Sequence, residues 1–409
     1  MAVNNADFDV IVVGAGPAGS FTAGALARAE LRVALLEEHP RVGLPNHCSG
    51  LVSPRTLELA GIDREHIALA PFSRARVWGP SGKTLWLQSN VVQAVAIDRP
   101  RFDQALAERA AAAGAELLLG TRARRFERTE TGVRVEVQAQ AGVSALTAPL
   151  LVGADGANSR VARWMGFGRK REIVPAYKAD VVFHNTGSRD IEIFVGNRVA
   201  PGLFGWIIPL GGGAARVGIG ATESPRRHFE RYLEMIEHHF GPFSIEGTGK
   251  APLPVEPAPG FSGDRVMLVG AAARQTKPTT GGGIYFGLRA AELAATTAVE
   301  AFEQDDFSRQ TLSQYETRWH HLEGQELVYG YRLRRLFCRL SDGEFDLIVR
   351  LLSMPFVQET IGRLGDIDYA SHLFSRLMAL IERPASKPRP VQVARAEVEQ
   401  LTGMVQSMV

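Results

Sequence analysis

The chain has 409 residues, of which 45% are hydrophobic and 22% charged, and its formal net charge is +2. This composition is typical of a globular protein with more than one structural unit, and the small net charge argues against a nucleic-acid-binding surface. The two cysteines, Cys48 and Cys338, are too far apart and too few for a disulfide framework or a cysteine-rich metal site. We expect no metal. No apolar stretch approaches the roughly 18 residues of a membrane span, so we expect a cytoplasmic protein with at most peripheral membrane contact.

The first elements along the chain predict a β-α-β unit. Residues 8–13 are an apolar, β-branched run, residues 17–29 carry Ala and Leu at helical spacing, and residues 32–37 form a second apolar run. Further buried strands of the same kind are predicted over 116–120, 149–153 and 265–270, and helices over 99–113 and 284–303.

Two stretches between these elements have a different pattern. Residues 71–98 predict a β-hairpin, and residues 177–221 predict antiparallel strands separated by Gly and Asn. The predicted fold class is therefore α/β plus α+β: a discontinuous Rossmann-like domain, an inserted antiparallel-sheet substrate domain and a C-terminal helical region. The predicted boundaries are 1–70, 99–170 and 251–305 for the Rossmann-like domain; 71–98 and 171–250 for the substrate domain; 306–383 for the helical region; and 384–409 for a linker and short terminal helix.

A glycine motif lies between the first strand and the first helix. Gly14 permits a tight turn, Gly16 lets the backbone approach a pyrophosphate, and Gly19 lets helix and strand pack closely. The helix N-terminus favours the negative charge of phosphates, and Glu37 ends the second strand, where it can accept hydrogen bonds from ribose hydroxyls. A glycine motif alone can be merely a glycine-rich turn, but this one lies between a predicted strand and helix. The pattern predicts a dinucleotide site for FAD or NAD.

Two later motifs distinguish between these dinucleotides. One is the segment Gly153–Arg160, which contains Asp155. The other runs from Val269 through the glycines 281–283 and follows the first along the chain. With them the chain resembles the FAD-dependent hydroxylase superfamily, whose FAD domain is of the glutathione-reductase type. The resemblance implies that the cofactor is FAD. The glycine loop, including Gly282, opens a helix whose N-terminus would stabilise negative charge on a reduced flavin.

Three further segments narrow the resemblance. They resemble the corresponding motifs of geranylgeranyl reductases: a PxxCxG segment at 45–50, an aromatic-x-Trp-x-x-Pro segment at 204–209, and KPTTGGGIYFGL at 277–288. This family resemblance implies a hydrophobic tunnel that ends at the flavin, an isoprenoid lipid substrate, and reduction of its prenyl double bonds. It also implies an external electron donor (NADPH, NADH or a ferredoxin-like protein), and the sequence does not choose among these.

The resemblance also implies roles for individual residues. Phe204, Trp206 and Pro209 would line the lipid pocket, although Trp206 is equally well explained as a core aromatic residue. Cys48 would lie near the flavin, as a proton donor to the alkene or as a small buried thiol. Arg99 would offer its donors to a phosphate, or be a solvated residue at a helix start. The positions that match the FAD-contacting positions of the family are Ala18, Glu37, Cys48, Ser49, Leu51, Arg99, Ala123, Gly283 and Ile284.

One position departs from the family pattern. The third motif usually contains Gly-Asp-Ala-Ala, whereas this chain has Ala271 in place of the aspartate. Loss of one charge-assisted hydrogen bond to a ribityl hydroxyl costs about 1.5–3 kcal/mol, so we expect weaker FAD binding. Two alternatives to an alkene reductase therefore stay open: an FAD-dependent monooxygenase of the hydroxylase type, and a flavin- or lipid-binding protein without turnover.

Overall fold

The computed structural model describes residues 6–167, 172–185, 187–369 and 371. The chain forms two compact units, each built from segments that are distant in sequence. The first unit runs up to Ala68 and includes Ile97–Ile173 and Pro252–Val328; the second holds Leu69–Ala96, Val174–Ala251 and the chain from Tyr329 onward. The linker and terminal helix predicted over 384–409 lie outside the described residues.

The secondary structure alternates between strands and helices in the first part of the chain, and the elements described after residue 283 are helices. The strands are β1 Val10–Val13, β2 Val33–Leu36, β3 Leu51–Val52, β4 Ala68–Phe72, β5 Arg74–Trp78, β6 Thr84–Gln88, β7 Ala94–Ile97, β8 Glu116–Leu118, β9 Arg122–Arg128, β10 Val133–Ala139, β11 Gly142–Ala148, β12 Leu150–Gly153, β13 Ile173–Phe183, β14 Ile191–Phe194, β15 Gly205–Gly211, β16 Ala214–Gly220, β17 Phe243–Pro254, β18 Ser262–Gly263 and β19 Val266–Leu268. The helices are α1 Pro17–Arg28, α2 Pro54–Ala60, α3 Arg99–Ala112, α4 Arg160–Trp164, α5 Pro225–Phe240, α6 Ile284–Glu303, α7 Arg309–Trp319, α8 Gln325–Phe337, α9 Asp342–Leu352 and α10 Pro355–Leu364.

A six-stranded sheet organises the first unit, in the order β18-β19-β12-β1-β2-β8. All its pairings are parallel except β18–β19. Strands β1, β2, β12 and β19 are buried at every position, as expected for a parallel sheet covered on both faces. Helix α1 packs against α3 and α6, and α7 packs against α6. The register brings the ends of four strands, at Val13, Leu36, Gly153 and Leu268, to one edge of this sheet.

A smaller antiparallel sheet, β11-β10-β9, also belongs to the first unit. Strand β10 alternates between buried and more exposed residues, and Val133, Val135 and Val137 are its buried positions. This matches the half-exposed strand that the period-two pattern predicts.

A seven-stranded sheet organises the second unit, in the order β17-β13-β16-β15-β14-β5-β6. Helix α5 buries Phe229, Tyr232 and Ile236, which lie three and four residues apart on one helix face. These side chains share a hydrophobic core with alternate residues of the sheet, including Ile207 and Val217. The mainly parallel sheet of the first unit and the mainly antiparallel sheet of the second, in which β14 and β5 pair in parallel, confirm the predicted fold class.

The last described helices pack within the unit to which each belongs. In α7, Leu312, Tyr315 and Trp319 are buried, while in the second unit α9 and α10 pack against β6. Helix α9 begins with a capping box between Ser341 and Glu344. Within the described ranges, no helix combines the length and apolar character needed to cross a bilayer.

Candidate functional site

The predicted dinucleotide motifs meet at one edge of the six-stranded sheet. Gly14 follows β1, Glu37 follows β2, Asp155 follows β12, and Gly270 follows β19. These strands are parallel and in register, so their carboxyl ends all reach this edge. In open α/β sheets this edge is the place where nucleotide ligands bind.

The first glycine turn has a different constraint at each glycine. Gly14 has φ +103°, a left-handed conformation that favours glycine. A Cβ at Gly19 would lie 1.9 Å from the carbonyl oxygen of Gly14, so helix and turn pack in direct contact. A Cβ at Gly16, by contrast, would have no described atom within 4 Å. Gly16 precedes α1, and none of the described side chains caps that helix. The open space therefore lies where a helix N-terminus attracts phosphate.

The carboxylate of Glu37 is held beside this turn. Its Oε2 accepts a hydrogen bond from the backbone N–H of Ala15 at 3.1 Å, and its Oε1 accepts one from the backbone N–H of His39 at 3.0 Å. The Nδ1 of His39 lies 2.7 Å from the same Oε1. The Glu37 side chain is 12% exposed, so it is fixed at the sheet edge yet still reachable.

Asp155 organises the loop after β12. Its Oδ1 accepts a hydrogen bond from the Ser159 hydroxyl at 2.5 Å, and its Oδ2 accepts from the backbone N–H groups of Arg160 and Val161 at 2.6 and 3.2 Å. Burial raises the pKa of Asp155, while these donors oppose the rise. Its carboxylate thus orders the start of α4, and the neighbouring Gly156, with φ +74°, leaves open space at its Cβ position.

Ala18 belongs to a tight junction between α1, the segment after β19 and α6. A Cβ at Gly270 would lie 2.9 Å from the Ala18 Cβ, and one at Gly287 would lie 3.5 Å from it. Ala271 follows in a short 3-10 helix, Gly270–Ala273. The position that lacks the usual carboxylate is therefore in the segment that packs on the glycine turn.

The second glycine loop leads into α6. Gly281 has φ +72°, and a Cβ there would lie 2.7 Å from Leu253. The carbonyl oxygen of Gly282 accepts a hydrogen bond from the backbone N–H of Lys277 at 2.9 Å. Gly283 precedes the helix, and Ile284 is its first residue, as predicted. Gly283, the residue before α6, has no side chain to cap the helix.

Cys48 lies in the segment between β2 and β3. Its backbone N–H donates to the Asn46 side chain at 3.1 Å, and its Sγ accepts a hydrogen bond from the backbone N–H of Gly50 at 3.3 Å. Ser49 and Leu51 follow it directly, and Leu51 begins β3. Cys48 is partly buried rather than fully enclosed.

Arg99 lies at the first position of α3, and its hydrogen-bond partner is Asp103. Its Nε and Nη2 donate to the two carboxylate oxygens of Asp103 at 2.6 and 3.0 Å, and both side chains are largely buried. Burial lowers the pKa of Arg99, but the Asp103 carboxylate and the Cys48 side chain outweigh it, so that this pKa is raised overall. The alternative of a solvated residue at a helix start is therefore wrong for Arg99, because an ion pair one helical turn away encloses it.

The remaining predicted residues lie in separate places. Ala123 is buried in β9, where it pairs with Val137. Phe204 and Trp206 belong to the second unit, with ring centroids 5.9 Å apart. The Trp206 Nε1 is buried and has no hydrogen-bond partner among the described residues. Pro209 lies opposite Ala215 in the sheet, three residues along from Trp206, so strand alternation places it on the other face. The structure therefore brings Phe204 and Trp206 together and separates Pro209 from them.

Sequence reasoning missed His39 and Asp103. His39 pairs with Glu37 two residues away, and no motif marks it. Asp103 had a signal, since it lies one helical turn after Arg99 in a predicted helix, and such pairs commonly interact.

The model of the FAD binding domain family matches residues 7–325 of this chain. Digeranylgeranylglycerophospholipid reductase 2 of Methanopyrus kandleri is 32% identical, over 92% of this chain and 98% of the relative. Digeranylgeranylglycerophospholipid reductase 1 of Methanococcoides burtonii is 31% identical, over 90% of this chain and 92% of the relative. This chain belongs to the digeranylgeranylglycerophospholipid reductase family of FAD-binding proteins. The predicted resemblance to geranylgeranyl reductases is confirmed.

Solved structures agree with the family. A geranylgeranyl bacteriochlorophyll reductase-like protein from Thermoplasma acidophilum superposes with a TM-score of 0.81 and 26% identity, over 91% of this chain and 99% of that one. The p-nitrophenol 4-monooxygenase of Pseudomonas putida superposes with a TM-score of 0.64 and 18% identity, which shows a shared fold alone. This member of the digeranylgeranylglycerophospholipid reductase family is an FAD-dependent oxidoreductase, as predicted.

The sheet edge of this family member fits FAD. Open space at Gly16, the free N-terminus of α1 and the fixed carboxylate of Glu37 match the pyrophosphate and ribose of a dinucleotide. One expected partner is missing, because Ala271 offers no carboxylate to the ribityl chain.

Proposed function

We propose that this protein saturates carbon–carbon double bonds in the geranylgeranyl chains of a glycerophospholipid. The observation that carries this proposal is a sheet edge that fits FAD, with open space at Gly16 and the fixed carboxylate of Glu37, in a chain that belongs to a family of lipid reductases. Reduction of an alkene by hydride also needs a proton donor, and Cys48 of the PxxCxG segment is the candidate for that role. The names of the relatives, which are reductases of digeranylgeranylglycerophospholipids, supply the substrate class.

We expect the cofactor to be held by residues of the first unit. Backbone N–H groups at the start of α1, around Gly16 and Ala18, would bind the pyrophosphate, and Glu37 would bind the adenosine ribose. The N-terminus of α6, at Gly283 and Ile284, would face the flavin ring. When bound and reduced, FAD supplies the hydride that adds to one alkene carbon.

The other alkene carbon needs a proton as negative charge develops on it. Cys48 would donate that proton from its thiol and become a thiolate. Asp103 orients the Arg99 guanidinium through two hydrogen bonds. The thiol is restored by a proton from solvent, so one turnover adds two hydrogen atoms to the double bond.

The sheet of the second unit offers a surface suited to an anionic lipid. Trp206 lies opposite Gly218 in β16, and Lys178 of β13 lies opposite the same Gly218, so these side chains share one face. On that face Lys178 and Arg216 are buried and share the carboxylate of Asp180, at 3.2 and 3.5 Å. Aromatic rings beside two cations suit a prenyl chain attached to a phosphate.

The proposal includes two candidate classes of electron donor. A reduced nicotinamide or a ferredoxin-like protein would reduce the flavin, and the two are distinguished by supplying each one alone. With NADPH and no lipid, a monooxygenase would consume O2 and release hydrogen peroxide.

The experiment that tests the function is product analysis. Protein loaded with FAD and reduced by dithionite without oxygen is incubated with a digeranylgeranylglycerophospholipid, and the lipid is examined by mass spectrometry. We expect a gain of two hydrogen atoms for each bond reduced. An unchanged lipid would contradict the proposal, and a lipid that gains oxygen under air would favour the monooxygenase.

A further inference from the structure

A cavity of about 500 Å³ lies in the second unit, away from the surface that carries Trp206. The sheet register separates the two. Trp206 lies opposite Ile193, whereas the next residue, Ile207, lies opposite Glu192, and Glu192 lies opposite Arg76. Neighbouring strand residues point to opposite faces, so Arg76 and its cavity lie on the α5 side of the sheet and Trp206 on the other. The residues that line the cavity include Arg74, Arg76, Trp78, Trp86, Arg189 and Asp190, and His239 also belongs to its lining.

Two arginines in this cavity are fixed by carboxylates. Arg74 donates from Nε and Nη2 to both oxygens of Asp190, at 2.6 and 2.9 Å. Arg76 donates in the same way to Glu192, at 2.8 and 2.7 Å, and Glu192 is fully buried. Bidentate pairs of this kind fix both the position and the plane of a guanidinium.

Indole rings fix the same guanidinium groups from their flat sides. The Arg76 guanidinium carbon lies 4.6 Å from the ring centre of Trp78 and 5.0 Å from that of Trp86. The guanidinium carbon of Arg74 lies 5.3 Å from the Trp86 ring centre. Arg74 and Arg76 are two residues apart on β5, so they present parallel forks on one face of the strand.

Hydrogen-bond donors are left over in this arrangement. The Nη1 groups of Arg74 and Arg76 have no partner among the described residues, because the carboxylates use Nε and Nη2. Arg189 is exposed and has no carboxylate partner in the part of the chain described. His239 is not one of these donors, because its Nδ1 already donates to the Met235 carbonyl at 2.9 Å.

We propose that this cavity is a binding site for a phosphate ester, separate from the catalytic surface. The three arginines carry one more charge than the two carboxylates of Asp190 and Glu192, so the site has an excess of positive charge. The planar guanidinium of Arg is suited to binding phosphate. The volume lies within the range of about 300–1,000 Å³ that holds small organic ligands, so it has room for more than an inorganic ion. The inference rests on this cavity alone and does not depend on the proposed function.

Two sources could supply such a phosphate: the glycerol phosphate headgroup of a lipid, or the 2′-phosphate of NADP(H). Binding is followed by NMR of the tryptophan indole N–H signals in FAD-loaded protein, since Trp78 and Trp86 line the cavity. The probes are glycerol 1-phosphate, NADP⁺ with NAD⁺ as its control, and inorganic phosphate. Saturable shifts of the Trp78 and Trp86 signals by glycerol 1-phosphate identify a headgroup site. Shifts by NADP⁺ and not by NAD⁺ identify a nucleotide site, and shifts by inorganic phosphate with equal affinity contradict a site built for an ester.

The matched variants are Arg189→Gln and Arg226→Gln. Both remove one exposed positive charge from the same unit, but Arg226 lies on α5, pairs with Glu230 and is outside the cavity. We expect Arg189→Gln to weaken binding about tenfold, as loss of one charged hydrogen bond predicts, and Arg226→Gln to leave it unchanged. Equal weakening by both variants, or no saturable shift with any probe, would overturn the proposal.

Discussion

The guanidinium of Arg99 donates two hydrogen bonds, of 2.6 and 3.0 Å, to the carboxylate of Asp103, which lies one helical turn later on α3. This pair is largely buried, and the Cys48 side chain also helps to raise the pKa of Arg99. The carboxylate of Asp103 therefore fixes the guanidinium of Arg99 at the start of α3.

Replacement of Cys48 should separate the reduction of the flavin from that of the alkene. We expect Cys48→Ala to slow lipid reduction at least ~100-fold, the usual loss when a proton donor is removed, while dithionite still reduces the flavin at the wild-type rate. Cys338→Ala is the control, because Cys338 is exposed and belongs to the other unit. A Cys48→Ala protein that reduces lipid at the wild-type rate would remove Cys48 from the mechanism.

Asp103→Asn should cost far more stability than an equivalent change at the surface. It leaves the buried Arg99 cation without its carboxylate, which we expect to lower the free energy of unfolding by about 3–5 kcal/mol. Glu230→Gln breaks the pair of the same spacing between Arg226 and Glu230, which is exposed, and should cost less than ~1 kcal/mol. Urea unfolding of both variants measures the difference, and similar losses would show that the Arg99 pair is not enclosed.

Substitutions at two glycines of the first turn should affect different properties: FAD binding at Gly16 and stability at Gly19. At Gly16, a valine side chain enters open space and the backbone angles suit any residue, so we expect Gly16→Val to keep its melting temperature but fail to hold FAD. At Gly19, a Cβ meets the Gly14 carbonyl oxygen at 1.9 Å, so even Gly19→Ala should destabilise the protein by about 1–3 kcal/mol or more. Thermal unfolding and flavin absorbance of the two proteins test this, and FAD retained by Gly16→Val would place the pyrophosphate elsewhere.

Ala271→Asp should restore the carboxylate usual in this family. We expect FAD to bind about tenfold more tightly, the equivalent of roughly 1.4 kcal/mol, because a charged acceptor becomes available to a ribityl hydroxyl. Ala271→Asn is the matched control of similar shape without the charge, and it should gain less. Equilibrium titration of the apoprotein with FAD measures both, and an aspartate variant no tighter than wild type would mean that Ala271 does not face the ribityl chain.

Much of the first unit could be predicted from sequence because its signals are local. An apolar run, a glycine turn and an alanine-rich helix follow one another without a gap, so β1, Gly14 and α1 lie where the pattern puts them. The glycine loop before α6 likewise fixes its start at Ile284.

Other features depend on residues that are distant in sequence. Arg76 and Glu192 pair across 116 residues, because β5 lies beside β14, and no local pattern indicates that pairing. Strand β17 was missed, since its two Gly and two Pro residues argue against a strand. Its place at the edge of the seven-stranded sheet is where Pro is tolerated.

The pleat of β15 separates what the sequence motif groups together. Phe204, Trp206 and Pro209 were assigned to one lipid pocket from the family resemblance, yet Pro209 lies opposite Ala215 on the face turned to the α5 core. We therefore expect Pro209 to support the sheet and the two aromatic residues to meet the substrate.

The most direct test of the central claim is an anaerobic reoxidation experiment. The FAD-loaded protein is bleached with one equivalent of dithionite, and a digeranylgeranylglycerophospholipid is then mixed in while flavin absorbance is followed. Recovery of the oxidised spectrum with the prenyl lipid, and not with its fully saturated analogue, is the predicted result. A flavin that stays reduced with both lipids, yet recovers on admission of oxygen, would contradict alkene reduction by this protein.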